Sequence, residues 1–163
     1  MRRPLVVLAM TTAAVFGLTA PATAGPSQAM NQLNESERKI CAENPVRCLA
    51  ALAVAKTASD ESTSAFSGQN YDGTQRDAAR HCMWQSLLSA DHGSAYAKRW
   101  GDAHEENPAP PASHEMDFHN NAVARVWGGQ IARNELVAHC TTSARAAAFK
   151  DYSDKQRLVY IAK

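Results

Sequence analysis

The sequence lacks the short patterns that identify many common catalytic and metal sites. It contains no Gly-x-Ser-x-Gly elbow, no glycine-rich phosphate loop, no Cys-x-x-Cys pair and no His-Glu-x-x-His helix. These absences argue against a serine nucleophile, a phosphate-cradling loop, a zinc ribbon and the usual zinc-protease helix. No internal repeat is present either. Any active site must therefore be assembled from residues that are distant in the sequence.

The chain also lacks a strong charge of either sign. Seventeen Lys and Arg residues against 16 Asp and Glu residues give a formal net charge of +1. Without Arg2 and Arg3 that charge is −1, and no basic block remains. We therefore expect no non-specific binding to nucleic acid, although a nuclease is not excluded.

The only long apolar run lies at the start of the chain. Arg2 and Arg3 precede the apolar stretch Leu5–Leu18, and Ala22-Thr23-Ala24 matches the small-residue cleavage pattern. The run is shorter than the roughly 20 residues of a comfortable membrane span. Residues 1–24 are therefore predicted to be a signal peptide, and the mature protein is predicted to be secreted, with no transmembrane segment.

The four cysteines all follow this leader. An even number of cysteines in an exported chain predicts two disulfides, for which three pairings are possible. We favour Cys41–Cys48, which is local, and Cys82–Cys140, which would tie a central helix to a late one. Reduced, buried thiols are the alternative.

The remaining length suits a single domain, and its pattern predicts an all-α fold. Residues 25–33 are predicted to be a flexible N-terminal segment, and residues 34–163 a single small helical domain stapled by the two disulfides. Further expectations are helices over Asn34–Glu43, Val46–Ala58, Thr74–Ala90, Ser94–Glu106, Ser113–Trp127, Gln130–Cys140 and Ser143–Lys150, a loop over Ser59–Gly73, and a strand or helix end over Arg157–Ile161.

The central helix, around Asp77–Leu88, carries polar groups on the side that it should bury. At 3.6 residues per turn, Asp77, His81 and Trp84 share one face, with Arg80 at its margin. Burying an imidazole or a carboxylate costs several kcal/mol unless it is paired. Another part of the chain must therefore supply partners for these groups.

Two later helices offer such partners. His104 falls on the apolar face of the helix from Ser94, while Asp117, Asn120 and Asn121 fall on that of the helix from Ser113. A carboxylate can orient a histidine for general acid/base catalysis, and amides can position a substrate oxygen. The predicted catalytic residues are His81, Asp117, His104 and Asp77, and the predicted substrate-binding residues are Arg80, Asn120, Asn121 and Trp84. The alternative is a purely structural hydrogen-bond network that fixes helix register.

A divalent metal is a further option, although no cofactor is firmly predicted. His81, His104 and Asp117 would make a two-histidine, one-carboxylate set with an open position, which suits catalytic zinc. His114 and His119 are five residues apart, so they do not share a helix face.

Three segments together resemble an uncharacterised bacterial domain family. They are DAARHCMW at Asp77–Trp84, DAHE at Asp102–Glu105, and MDFHNN at Met116–Asn121, which Arg125 follows. The family occurs as small secreted actinobacterial proteins and at the C-terminal ends of large wall-associated or Rhs-type polymorphic toxins. The resemblance covers roughly residues 72–161 and implies an exported, effector-like domain. Where members tend to carry Gly before the late Arg, this chain has Ala124.

Two classes of function follow. The first is a secreted toxin-like hydrolase that uses the His/Asp/Asn site on a phosphoester or lipid of the cell envelope, with an immunity or inhibitor protein as a further partner. The second is a non-catalytic exported binding or inhibitor module with a structural polar core. An enzyme needs His81 and Asp117 within reach of each other and of solvent, whereas a scaffold would seal them in.

Overall fold

A computed structural model describes residues 30–69 and 72–162, whose regular secondary structure is almost entirely α-helical. Six α-helices have both ends within this part of the chain: α1 (Glu35–Glu43), α2 (Pro45–Ala65), α3 (Gln75–His92), α4 (Ser94–His104), α5 (Pro111–Gly128) and α6 (Leu136–Arg145). The short strands β1 (Ala148–Phe149) and β2 (Val159–Tyr160) pair in parallel, with Ala148 opposite Val159. The prediction of a single all-α domain is confirmed.

The predicted signal peptide lies outside the described residues, as do residues 25–29 of the predicted flexible segment. The end of that segment is packed, because Leu33 is buried in the hydrophobic core. No helix in the described part of the chain is both long and apolar enough to cross a membrane.

Helix α3 lies at the centre of the fold and packs against α2, α4, α5 and α6. A helix surrounded in this way is buried on nearly every side, so it cannot keep a polar face in water. Met83, Leu88 and Ala79 are fully buried, but so are Gln85 and His81. The buried polar groups of α3 must therefore find their partners within the protein.

Both favoured disulfides are present. Cys41–Cys48 links the end of α1 to the start of α2, and Cys82–Cys140 links α3 to α6. On α3, Cys82 points away from the face that carries Asp77, and its bond therefore holds the central helix from behind.

Helix α2 continues seven residues beyond its predicted end at Ala58, so the first part of the predicted Ser59–Gly73 loop is wrong. Polar residues of low helix propensity suggested a loop, but Ala58 and Ser62 are fully buried against the core. The Ser62 hydroxyl donates to the carbonyl of Ser59 within the helix. Tertiary burial thus overrides weak local propensity.

The C-terminal part also differs from the prediction. The predicted Gln130–Cys140 helix begins only at Leu136, after a 3₁₀ turn, and the predicted helix over Ser143–Lys150 is replaced by the end of α6 and by β1. For Arg157–Ile161 the strand alternative is correct. The side chain of Asn120 fixes this strand by pairing with the backbone of Val159, an interaction that no local sequence pattern reveals.

The two disulfides should differ in their effect on stability because they close loops of different length. The sequence separations are 58 residues for Cys82–Cys140 and 7 for Cys41–Cys48. On the chain-entropy model, removing the first by Cys82→Ala/Cys140→Ala should cost about 4 kcal/mol of unfolding free energy, and removing the second about 2 kcal/mol. Urea unfolding of the two double variants measures both values. Equal losses would contradict a loop-entropy origin.

Gly128 marks the closest approach of α5 to α3. A Cβ at this position would clash with the carbonyl oxygen of Ser86 and lie 2.7 Å from the Cβ of Ser89, whereas at Gly129 the nearest atom is 3.6 Å away. Gly128→Ala should therefore destabilise the protein by about 1–3 kcal/mol through overpacking, and Gly129→Ala should be nearly neutral. The melting temperatures of these two variants test how closely α5 approaches α3 at Gly128. Similar melting temperatures for the two variants would show that the helices are not in such close contact.

Candidate functional site

Three of the predicted catalytic residues meet at the crossing of α3 and α5. Asp77 and His81 lie one turn apart on α3, and Asp117 faces them from α5. His81 Nε2 is 3.4 Å from Asp117 Oδ1 and 3.6 Å from Asp77 Oδ1. All three residues are buried, with 1% of His81 and 7% of Asp117 exposed. They are therefore within reach of each other but nearly closed to solvent.

Asn121 determines which ring nitrogen of His81 carries the proton. His81 Nδ1 is 3.0 Å from Asn121 Oδ1, and the amide nitrogen of Asn121 donates to Glu105 Oε1 at 3.5 Å. The amide oxygen accepts, so Nδ1–H is the donor and Nε2 keeps its lone pair. Burial and, after it, the charge of Arg80 lower the pKa of His81 to about 3. His81 is therefore neutral at pH 7.

Arg80 supplies the positive charge of this cluster. Its Nη2 lies 2.5 Å from Asp77 Oδ1 and 3.2 Å from His81 Nε2, and its Nε donates to the same Asp77 oxygen at 3.1 Å. The backbone N–H of Gly73 donates to the other oxygen of Asp77 at 2.8 Å. Burial opposes ionisation of Asp77, but the interactions with His81, then with Arg80 and the backbone of Gly73, hold its pKa below the usual value. Asp77 is ionised and fixes Arg80 in place.

Asp117 differs from Asp77 because it has no such partner. Burial and then the nearby carboxylates of Asp77 and Glu105 raise the pKa of Asp117 to about 9. Its Oδ1 has no hydrogen-bond partner among the described residues. The two aspartates therefore hold different protonation states: Asp77 is an anion and Asp117 a neutral acid at pH 7.

The set of residues that could hold a metal differs from the predicted one. Ligand atoms of Asp77, His81 and Asp117 lie within 4.8 Å of one another. His104 is not part of this set, and its Nδ1 is bound to Glu37 instead. The Arg80 guanidinium already contacts Asp77 and His81, so a cation would have to displace it. Arg80 fills the electrostatic role that a metal would have here.

Asn120 and Asn121, two predicted substrate-binding residues, use their amides within the protein. Asn120 Nδ2 donates to the Val159 carbonyl at 2.9 Å, and Asn120 Oδ1 accepts the Val159 N–H at 2.9 Å. Both asparagines are almost fully buried. The structure thus places Asn120 as the anchor of β2 and Asn121 as the partner of His81.

His104 is the most accessible of the predicted catalytic residues. Its side chain is 34% exposed, and its Nδ1 is 3.0 Å from Oε1 of Glu37, a carboxylate on α1 that is only 5% exposed. Glu37 Oε2 accepts the backbone N–H of Asn34, completing a capping box at the start of α1. Because Glu37 is an acceptor, Nδ1 of His104 carries the proton and Nε2 keeps its lone pair. Nε2 makes no hydrogen bond within the described residues.

Sequence reasoning did not identify Glu37 as a site residue. The Asn-x-x-Glu spacing of Asn34 and Glu37 is the signature of a capping box, and it does predict that this carboxylate turns back towards the helix start. It does not predict that His104, 67 residues later, contacts the other oxygen. Only the packing of α1 against α4 brings the two together.

His104 opens on a cleft of about 470 Å³ between α2, α3 and α4, which we call the His104 cleft. Arg80 and Trp84 also line it, together with Trp100 and Lys56. The Trp84 ring meets that of His104 edge-on, with centroids 5.1 Å apart. Of the predicted site residues, Arg80, Trp84 and His104 face this cleft, whereas the cluster of Asp77, His81 and Asp117 lies behind it.

The protonation of Asp117 makes a testable contribution to stability. Asp77, Arg80 and His81 of α3 face it, along with Glu105 and Asp72. The folded pKa of about 9 exceeds the ordinary 3.8, so the folded state binds the extra proton between these values. Stability should therefore fall as pH rises through this window, by up to about 1.4 kcal/mol per pH unit.

Asp117→Asn should remove this part of the pH dependence while keeping the shape of the side chain. Urea unfolding at about pH 5 and about pH 8 should show a smaller loss of stability on going to the higher pH in the variant than in the wild type. The same loss in both proteins would mean that Asp117 is ionised in the folded state.

Comparison with known proteins places the chain in one family. Neither the curated proteins nor the solved structures contain a match. A family model described as a domain of unknown function, DUF6973, matches residues 38–149, a region that includes His81, His104 and Asp117 but not Glu37 or β2. Because the match covers more than half of the chain, the protein belongs to the DUF6973 family of domains of unknown function.

Proposed function

We propose that the protein is a secreted hydrolase that acts on a phosphoester or lipid of the cell envelope, with His104 as its general base. The observation that carries this proposal is the His104–Glu37 pair: a histidine oriented by a buried carboxylate and opening on a cleft beside a guanidinium. Orientation by a carboxylate and access to substrate are the two properties that a catalytic histidine needs.

The reaction is an attack by water on the ester. Nε2 of His104 accepts a proton from the water as its oxygen bonds to the phosphorus or carbonyl carbon of the substrate. The bond from that atom to the leaving alcohol oxygen then breaks, and His104 returns the proton to the leaving oxygen. Glu37 acts as a positioning residue that holds the Nδ1–H tautomer throughout.

Arg80 is suited to bind the negative charge of the substrate and of the transition state. Its Nη1 makes no hydrogen bond among the described residues, while Nε and Nη2 are held by Asp77. A guanidinium fixed in this way stabilises developing charge without rearranging during the reaction. In this proposal His81 and Asp117 support Arg80 from behind. Of the two predicted catalytic histidines, the more exposed His104 is the base.

Secretion is part of the same proposal. Two disulfides are typical of proteins that fold in an oxidising compartment, and the predicted signal peptide would deliver the chain there. The toxin-like context rests on the resemblance of the three motifs to the tips of polymorphic toxins. A cell that exports such an enzyme would need an immunity or inhibitor protein if the target were its own envelope.

A specific observation also favours the second class of function, a non-catalytic binding or inhibitor module. His81, Asn120 and Asn121 are sealed and make hydrogen bonds within the protein, as a structural polar core requires. On this alternative the His104–Glu37 pair only joins α4 to α1, and the cleft binds a ligand without turnover.

An activity panel on phospholipid, nucleic acid and peptidoglycan, with and without chelator, first identifies the substrate. His104→Asn should then lower kcat by a factor of about 10² or more and leave the fold intact, because a positioned base contributes that much. His139→Asn, on α6 and outside the cleft, is the matched control and should retain activity. Full activity per folded molecule in His104→Asn would refute the proposal.

Glu37→Gln separates positioning from stability. Glutamine can still close the capping box, so the melting temperature should change little. It can also present its amide nitrogen to His104, which favours the wrong tautomer, and kcat should fall by about tenfold or more with KM nearly unchanged. A variant with a lower melting temperature but normal kcat would assign the pair a structural role alone.

A further inference from the structure

Two cavities lie side by side along helix α2. The first is the His104 cleft, whose α2 wall includes Leu52 and Lys56. The second, about 460 Å³ in volume, is lined by Met30, Cys41, Pro45, Cys48 and Leu49, with Arg38 as its one charged residue; we call it the α2 groove. Leu49, Leu52 and Lys56 follow one another at spacings of three and four, so they share one face of the helix.

The same short segment of chain borders both cavities. Met30 lines the α2 groove, and Leu33 lines the His104 cleft. From Pro45 to Lys56 the helix rises ~16 Å. The two cavities are therefore neighbours along α2, and we refer to them together as the trough, with a polar end at His104 and an apolar end at Leu49. Leu49 is 51% exposed, so its side chain is accessible to a ligand at the apolar end.

The polar end of the trough offers more hydrogen-bond donors than acceptors. Arg80 is cationic, and the indole nitrogens of Trp84 and Trp100 are buried without an acceptor among the described residues. The acidic residues at this end have partners: Glu37 binds His104 and the backbone of Asn34, and Asp60 pairs with Lys56. A donor-rich site that holds a guanidinium is suited to an anionic, oxygen-rich group such as a phosphate.

The apolar end offers almost no hydrogen-bonding groups. An extended peptide in the α2 groove would leave backbone N–H and C=O groups unpaired, which is costly. A hydrocarbon chain has no such groups and gains from burial in proportion to its apolar area. The chemistry of this groove therefore favours an acyl or alkyl chain over a peptide.

We infer that the substrate of the proposed hydrolase is a single phosphate-bearing amphiphile, whose phosphate binds at Arg80 in the His104 cleft and whose hydrocarbon chain lies along α2 in the α2 groove. The inference rests on the proposed function and narrows it. A water-soluble phosphoester would occupy the cleft alone, whereas a phospholipid or lysophospholipid would fill both parts of the trough.

Binding of three probes to the purified protein tests the inference by calorimetry. Dodecyl phosphate, used below its micellar concentration, carries both the phosphate and the hydrocarbon chain. Inorganic phosphate carries only the anion, and a neutral dodecyl glycoside carries only the chain. Dodecyl phosphate should bind at least about tenfold more tightly than either of the others. Equal affinity for dodecyl phosphate and inorganic phosphate, or for dodecyl phosphate and the glycoside, would overturn the inference.

Two pairs of variants locate the two parts of the ligand. Leu49→Glu should weaken dodecyl phosphate about tenfold and leave inorganic phosphate unchanged, while Val126→Glu, a similarly exposed residue of α5 outside both cavities, should have no effect. Arg80→Gln should weaken both phosphate probes, in contrast to its surface control Arg133→Gln. If Leu49→Glu leaves dodecyl phosphate binding intact, the chain does not lie in the α2 groove.

His104→Asn distinguishes failure of the inference from failure of the proposed function. This variant should bind dodecyl phosphate like the wild type, because His104 serves the chemical step. Normal probe affinities with undiminished turnover would refute the proposed catalytic role and leave the amphiphile site standing. A different result would overturn the inference: none of the probes binds, and light scattering shows a different molecular mass for Leu49→Glu than for the wild type. The α2 groove would then bind a second copy of the chain.

Discussion

Helix α3 is packed against four other helices, and this burial forces its polar side chains to be neutralised inside the protein. Asp77, Arg80 and His81 occupy a single turn of this helix. A charged group at this place needs a partner, because the free energy of burying an isolated charge is far larger than that of a single favourable interaction. The ion pair of Asp77 with Arg80 meets this requirement, and the close approach at Gly128 brings α5, with Asp117 and Asn121, over the same turn.

The consequence is a division between a closed cluster and an open cleft. The closed cluster holds one ionised aspartate, one protonated aspartate and a neutral histidine. Burial favours the neutral forms of all three groups, and Asp77 stays ionised because it has Arg80 and the Gly73 N–H as donors. Arg80 belongs to both regions, because Asp77 holds it from behind while its guanidinium faces the cleft. Changes in the cluster should therefore reach the cleft through the position of Arg80. In the proposed function, this buried network positions Arg80 and does not itself react.

The His104 cleft has the complementary character. Its histidine is oriented from α1 by Glu37, and its walls combine indole rings with aliphatic side chains of α2. The disulfide Cys41–Cys48 joins α1 to α2 and so fixes the carboxylate relative to that wall. The apolar groove beside the cleft begins at this disulfide. The proton acceptor of the proposed function and the α2 groove thus depend on the same local junction of α1 with α2.

The sequence by itself predicted the all-α class and placed Asp77, His81, Asp117, Asn120 and Asn121 on interior helix faces, because periodicity and capping or breaking residues act over a few turns of helix. It favoured the cysteine pairing that forms but left three pairings possible, and the packing of α1 with α2 and of α3 with α6 selected one of them. Tertiary packing decided the length of α2, the strand at Val159 and the replacement of the predicted Ser143–Lys150 helix. Burial of Ser62 and the hydrogen bonds of the Asn120 amide outweighed local propensity. The tertiary structure alone decided that Glu37 contacts His104 and that His81 is sealed while His104 is open. Helical periodicity shows which side of a helix a residue occupies, but whether that side meets a neighbour, a cleft or solvent depends on contacts between residues far apart in the chain.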